Sequence, residues 1–335
     1  MAYTTTDYPA ITGYQSSLAT KLTGIFEEYK ATKIAESVWK TIFDVSDSKD
    51  FADQNLILHG TTGIQKVAQG QDLPLVSSEE WDTIVYTQAK YGGFASITDE
   101  MRRFDQYDKM KSVVKSITED AFDKIDQSMA DVLLNGWSTS YTDVYGATVA
   151  SVWPDGKALF NAAHTNGTTS STYTNIMNDG TNSNPSLSRV AFVKEIATAA
   201  KYTDPNGIHR PIRLDTLVVW PDLADEADRI VNSQQMSGTA NNDRNWPAGG
   251  VKSLSVKVWD RLGTNSAGTD TSAYYFMLNM DKGKETLKAR FAKRPSLDAP
   301  EIYYKNKNWD YSLFFYYYLG LGFAPYVRGS TWANA

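Results

Sequence analysis

Cysteine is absent from all 335 residues, which excludes thiolate metal sites, thiol nucleophiles, thiolate-ligated iron–sulfur clusters and disulfide scaffolds. Histidine is scarce, with only His59, His164 and His209 in the chain. No apolar run reaches the roughly 18–20 residues needed to span a bilayer. The first residues, Met-Ala-Tyr-Thr-Thr-Thr-Asp-Tyr-Pro, lack the basic stretch and apolar core of a secretory signal. A basic excess is missing too. Lys and Arg number 33 against 39 Asp and Glu, a net charge of −6, opposite in sign to the patch of a free-standing nucleic-acid binder. Repeats and heptads are absent, so solenoids and coiled coils are excluded. At roughly 150 residues per domain, the length allows about two domains or one elaborate one, with no need of a metal or disulfide staple.

What is present points to an α+β chain with outlying parts. Leu18, Leu22, Ile25 and Phe26 are spaced for a short amphipathic helix in an N-terminal arm over residues 1–50. Val38 to Phe43, β-branched and aromatic, reads as extended. Candidate strands Asn55–His59 and Trp81–Lys90 flank a stretch rich in Gly, Gln and Thr. This is a hairpin with two wet faces, marginal unless it lies on another surface.

Thr98 opens a helical stretch, and a far longer helix is expected from Asp105 to Leu134. Its apolar stripe is Met110, Val113, Val114, Ile117, Ala121, Ile125, Met129, Val132 and Leu133, ended by Asn135-Gly136. Residues 137–187 read mainly as loop. A helix from Ser188, a strand at Leu214–Trp220, a helix after Pro221, a polar loop from Gln234 to Gly250 and a strand at Leu254–Trp259 outline a compact α/β lobe. Beyond Tyr274 the chain is β: Tyr274–Leu278, Leu287–Phe291 and a hairpin of Glu301–Lys305 with Trp309–Leu319. Lys282-Gly283-Lys284 reads as a turn.

Chemical motifs are thin. His164, near Asp155 or Asp179, lacks a nucleophile motif and a second histidine at a telling spacing, so it is expected to anchor a loop. His59 and His209 fit no two-histidine metal spacing. The pairs Glu79-Glu80 and Glu119-Asp120 are of the type used as a glycosidase acid and base, but adjacent helix residues do not face each other. Glu119-Asp120 continues into Asp123 and Asp126, and these four interleave with Lys115 and Lys124 and read as a solvated helix face. No phosphate cradle or cofactor motif is found, and none is expected. Lys288, Arg290, Lys293 and Arg294 form the densest basic cluster, expected to meet an acidic neighbouring subunit rather than nucleic acid.

Three segments carry a resemblance: Tyr86 to Met101, Gly156 to His164 with its Leu-Phe-x-x-x-His pattern, and Asp215 to Pro221. With the order of elements, they make the chain resemble the major capsid proteins of tailed bacteriophages, the Hong Kong ninety-seven-type fold, in its Mu-type head-subunit branch. The resemblance implies an N-terminal arm (1–50), an extended hairpin (51–96) and a peripheral domain with spine helix (97–137). An α/β axial domain (138–273) and returning peripheral strands (274–335) complete it.

It implies no catalytic residue and no cofactor. The implied partners are copies of the chain in hexamers and pentamers, a portal protein, a separate scaffolding or decoration protein, and packaged DNA held weakly. The virion is the implied location, with assembly in the host cytoplasm and no membrane. Ile57, Lys66, Trp81 and Tyr86 of the hairpin, with Lys288, Arg290, Lys293 and Arg294, are the expected inter-subunit contacts. Some members cross-link a hairpin lysine to a neighbour's asparagine. Lys66 and Lys90 lie in or near the hairpin, but no activating carboxylate is evident, and cross-linking is not expected. A tail-tube subunit and a carbohydrate-active enzyme are the alternatives.

Overall fold

The stripe Leu18, Leu22, Ile25 and Phe26 forms one face of a helix, α1 (Pro9–Glu36), and all four side chains are buried. The computed structural model describes residues 9–58, 64, 66–75, 80–104, 106–153, 155–165, 172–204, 207–235, 244–250, 254–302, 307–322 and 324–332. The helix packs on the spine helix of its own chain, with Lys33 Nζ 3.0 Å from Asp123 and the Lys115 ammonium 5.0 Å from the Tyr29 ring centre. Fully buried Leu22 and Phe26 each contribute about 1.5–3 kcal/mol there. The arm therefore buries its apolar stripe without a neighbour, which corrects the expectation of a wholly outlying segment.

The Val38–Phe43 stretch is also not extended. A one-turn helix, α2 (Trp39–Ile42), leads into strand β1 (Asp44–Asp47). Buried Trp39, Ile42 and Phe43 recur at helical spacing, and that burial pattern outweighs β propensity. Strands β2 (Ala52–Leu58) and β3 (Glu80–Thr87) pair antiparallel as a separate two-stranded ribbon. The single strand expected over Trp81–Lys90 breaks at Gln88, and β4 (Ala89–Ile97) joins the main sheet. Thr98 caps α3 (Asp99–Arg103), and α4 (Tyr107–Leu134) is the spine, about 42 Å long at 1.5 Å per residue.

Beyond the spine lie the small pairs β5 (Ser140–Thr142) with β6 (Thr148–Ala150), and β7 (His164–Thr165) with β8 (Thr172–Tyr173). The smaller lobe follows: α5 (Arg189–Ala199), β9 (Thr216–Val219), α6 (Ala224–Asn232), α7 (Trp246–Gly250), β10 (Ser255–Val258) and β11 (Tyr275–Leu278). The expected polar loop from Gln234 thus ends in a short helix, its middle lying outside the described residues. Helix α8 (Met280–Thr286) replaces the turn expected at Lys282-Gly283-Lys284. The Asn279 side chain caps it by accepting from Lys282 N at 2.7 Å.

The chain ends in β12 (Leu287–Leu297), β13 (Glu301–Ile302), β14 (Trp309–Leu321) and β15 (Val327–Ser330). Strand β12 outruns its expected end at Phe291 because register shifts accommodate Pro295. In the main sheet, β1 pairs parallel with β12, and β14 pairs antiparallel with β12, β13 and β4. Along β14 the buried residues Trp309, Tyr311, Leu313, Phe315 and Tyr317 alternate with half-buried ones, so one face joins the core shared with the spine.

The smaller sheet runs β10-β9-β11-β15. Its two central strands are buried on both faces, with Leu217, Val219, Tyr275 and Met277 in the lobe core and Val218 and Phe276 in the main core. Because β11 and β15 belong here, the expected boundary at 273/274 cuts through a sheet.

Backbone contact closes the joint between α8 and β14. A Cβ on Gly322 would stand 1.6 Å from the carbonyl oxygen of Glu285, whereas one on Gly24 in α1 would meet nothing within 4 Å. Gly322→Ala should therefore cost more than about 3 kcal/mol, while Gly24→Ala should gain about 0.5–1 kcal/mol. Urea midpoints of the two variants, moving in opposite directions, check both.

Candidate inter-subunit surfaces

The β2–β3 ribbon is registered from Ala52↔Thr87 to Leu58↔Glu80. Beyond it, the side chains of Ile64, Leu73 and Leu75 are 94 %, 85 % and 92 % exposed. Single exposed apolar residues are ordinary, but several on one projecting segment mark a surface awaiting a partner. Lys66 is exposed on the same segment. Ile57 and Trp81 lie in the paired strands, with their side chains outside the described residues.

Tyr86 is engaged within its own chain. Its hydroxyl donates to Leu321 O and accepts from Leu321 N, both at 2.8 Å, and its ring stacks on Tyr318 at 5.3 Å. Burial pushes the phenol up to about 12, with the Leu321 hydrogen bond opposing. Tyr86 fastens the ribbon's base to β14 of its own chain.

The basic cluster is likewise engaged at home. Arg290 meets the Asp44 carboxylate at 2.6 Å and the Asp44 carbonyl at 2.7 Å; Arg294 meets Asp47 at 2.7 Å. Lys293 meets Asp298 at 3.2 Å and covers the Phe314 ring. The two arginine pairs hold the short edge strand β1 against β12, where Lys288 stands opposite Asp44. The expectation of a free basic patch left out Asp44 and Asp47, some 246 residues away in the chain.

On the spine, Lys115–Glu119 and Lys124–Asp120 are surface pairs at 3.6 and 3.3 Å, as a solvated face requires. Asp123 is as exposed as Glu119 yet paired across the lobes, and Asp126 lies mostly beneath that face. Arg261 of the smaller lobe reaches Asp123 at 2.7 Å and Asp126 at 3.1 Å, and Trp259 Nε1 donates to Asp126. His164 anchors a loop, through Asp155 at 2.8 Å. His209 Nε2 meets the Ala200 carbonyl at 2.8 Å, and His59 lies outside the described residues. Among the described residues no group of three or more His, Asp or Glu side chains is placed to hold a metal. No described helix is long and apolar enough to cross a membrane.

The spine aspartates set an acid response. Asp131 is fully buried; its Oδ1 accepts from Gln127 and Ser266, and its Oδ2 has no partner among the described residues. Burial raises this carboxyl, more than the two hydrogen bonds lower it. Asp126 is raised by burial as well, with Arg261 opposing. A raised carboxyl stabilises the fold in its protonated form and loses that contribution as pH rises through its folded value. Asp131→Asn should therefore be at least as stable as the parent at neutral pH, the difference vanishing below about pH 4. Urea unfolding at the two pH values checks the sign.

Residues 79–326 match the family described as phage capsid protein. No curated protein matches the chain. Among solved structures, the capsid of an empty GTA particle superposes with a TM-score of 0.51 at 10% identity, covering 88% of this chain and 89% of that one. That likeness carries the fold assignment. The capsid of Myoviridae phage XM1 gives a TM-score of 0.46 at 9% identity, covering 88% and 90% of the two chains. For Gordonia phage Cozz the values are 0.49 and 11%, covering 88% and 85%.

Proposed function

This chain belongs to the phage capsid protein family, and from that premise we infer that it is the major head subunit of a tailed bacteriophage, with the Hong Kong ninety-seven-type fold. Its copies close into an icosahedral shell, as hexamers and pentamers, around packaged double-stranded DNA. The role is mechanical, and no reaction is assigned to it. One observation carries the reading: a two-stranded ribbon, marginal alone, leads into a segment on which Ile64, Leu73 and Leu75 stand exposed. Neighbouring copies supply their cover, and symmetry repeats the contact at every equivalent position.

The contacts proposed on this segment are Lys66 with Ile64, Leu73 and Leu75, together with Ile57 and Trp81 of the ribbon. Lys288, Arg290, Lys293 and Arg294 enter only as a rim, since three of them already serve Asp44, Asp47 and Asp298. An arm, hairpin, peripheral domain and axial domain remain the proposed division. The net negative charge suits loose contact with DNA, because strong phosphate binding would hinder packaging and release. A portal protein and a scaffolding or decoration protein are the further partners proposed, with assembly in the host cytoplasm and residence in the virion.

Sedimentation of the purified full chain tests the reading. Closed particles of megadalton mass, seen as regular shells by electron microscopy, are expected. A stable 37.3 kDa species at every concentration and ionic condition tried would overturn it.

A further inference from the structure

The Leu-Phe-x-x-x-His segment takes no part in the proposed contacts, yet it sits where the main parts of the chain meet. Phe160 N donates to the Gly136 carbonyl at the spine's end at 2.7 Å. The Phe160 ring lies 4.5 Å from Trp137 and 5.7 Å from Phe276 of the smaller sheet. It also fills the space a side chain would need at Gly136 or at Gly329 of β15. Asn175 extends the joint: its Oδ1 accepts from Asn161 N at 2.8 Å, and its carbonyl accepts from Gly329 N at 3.2 Å. Spine, segment and last strand are thus tied at one place, and His164, fully buried, closes it.

The partners of the imidazole decide its form. Nδ1 lies 2.8 Å from Asp155 Oδ2, which also accepts from Thr165 N, while Asp155 Oδ1 accepts from Lys157 N. Nε2 lies 3.1 Å from the Leu159 carbonyl, which also accepts from Asn175 Nδ2. A carbonyl can only accept, and so can an ionised carboxylate. Burial works against the ionised Asp155, but its hydrogen bond with the His164 ring and those from the Lys157 and Thr165 amides hold it below the usual aspartate range. A neutral imidazole has one N–H and would turn a bare nitrogen toward an acceptor. The Tyr173 ring, stacked at 5.2 Å, offers its face to a cation.

Among the described residues, the other ionisable groups nearby are the Lys157 ammonium, which donates to the Ala163 carbonyl, the buried hydroxyls of Tyr173 and Tyr202, both raised by burial, and Arg328, which is held by Glu195. None of these supplies a second negative charge to the ring.

We propose that His164, with a proton on each ring nitrogen, is the charged bolt that locks the Leu159–His164 segment between the spine helix and the smaller lobe.

With three histidines in the chain, the ring nitrogens can be read directly. The experiment takes full-length chain labelled with ¹⁵N-histidine, at about pH 7.5, where an ordinary histidine is mostly neutral. One ring is expected to show two protonated nitrogens, and its signals should vanish in His164→Gln. A bare nitrogen on His164 would overturn the charged form. Hydrogen exchange tests the bolt. In His164→Gln, which cannot donate at both ends, amides of residues 159–165, 175–178 and 327–330 should exchange at least about tenfold faster, with β2, β3 and β14 unchanged. Faster exchange confined to residues 163–165 would reduce His164 to a local anchor and sink the joint role. If the variant does not fold, the parent's nitrogen signals still decide the charge.

Discussion

Arg328→Met should destabilise the chain by about 3–5 kcal/mol, a large share of what holds any domain together. Arg328 on β15 and Glu195 on α5 form an ion pair with both side chains almost wholly buried. Glu195 Oε2 also accepts from Asn178 N at 3.2 Å. Removing the guanidinium leaves a carboxylate in the interior with one backbone donor and no countercharge. The ion pair is not itself the source of that cost. Pairing two charges inside a protein roughly cancels the loss of their hydration, so removing both together is far milder. Arg328→Met combined with Glu195→Gln keeps an acceptor for Asn178 and removes both charges. The double variant should recover most of the loss. Urea denaturation of parent, single and double variants reads this as a cycle; a double variant as unstable as the single one would show packing, rather than stranded charge, to be the cause.

The parts legible in the sequence are those where one residue pattern dictates one structure. The spine's stripe from Met110 to Leu133 specifies a long one-faced helix, and it lies within α4. The aromatic run of β14 alternates between buried and half-buried positions as a strand must. Where two local preferences compete, the larger burial decided. Trp39, Ile42 and Phe43 wind into a turn although β-branched neighbours favour extension, and Pro295 sits inside β12 where a bulge admits it.

Long-range electrostatics were less legible, because the partners are remote in the chain. Arg290 and Arg294 looked like a basic patch until Asp44 and Asp47 lay beside them. Asp123 and Asp126 did carry a signal. Three residues apart, they share a helix side, and a remote cation binding both was the natural consequence. The arm is a related case. An amphipathic helix states that it needs a partner, not whether that partner is a neighbouring copy or, as here, the spine of the same chain.

On the proposed reading the hairpin carries the outlying role, and deleting Thr61–Leu73 should abolish closed shells while leaving the subunit folded. The two halves of that expectation rest on the same fact. Ile64 and Leu73 are almost fully exposed in the isolated chain, so removing them takes nothing from its core and should leave its unfolding midpoint nearly unchanged. The same side chains, buried on a neighbour, each contribute about 1.5–3 kcal/mol. Every subunit both gives and receives that contact around a closed assembly, so its loss recurs at each position and the shell's stability falls by a multiple of it. A milder variant, Ile64→Asp with Leu75→Asp, keeps the hairpin's length and should act in the same direction, since each contact would bury an unpaired carboxylate. Electron microscopy and sedimentation of both variants would show subunits or small oligomers in place of particles. Regular heads from the deletion variant would place the shell-closing contacts elsewhere and remove the hairpin from the assembly mechanism.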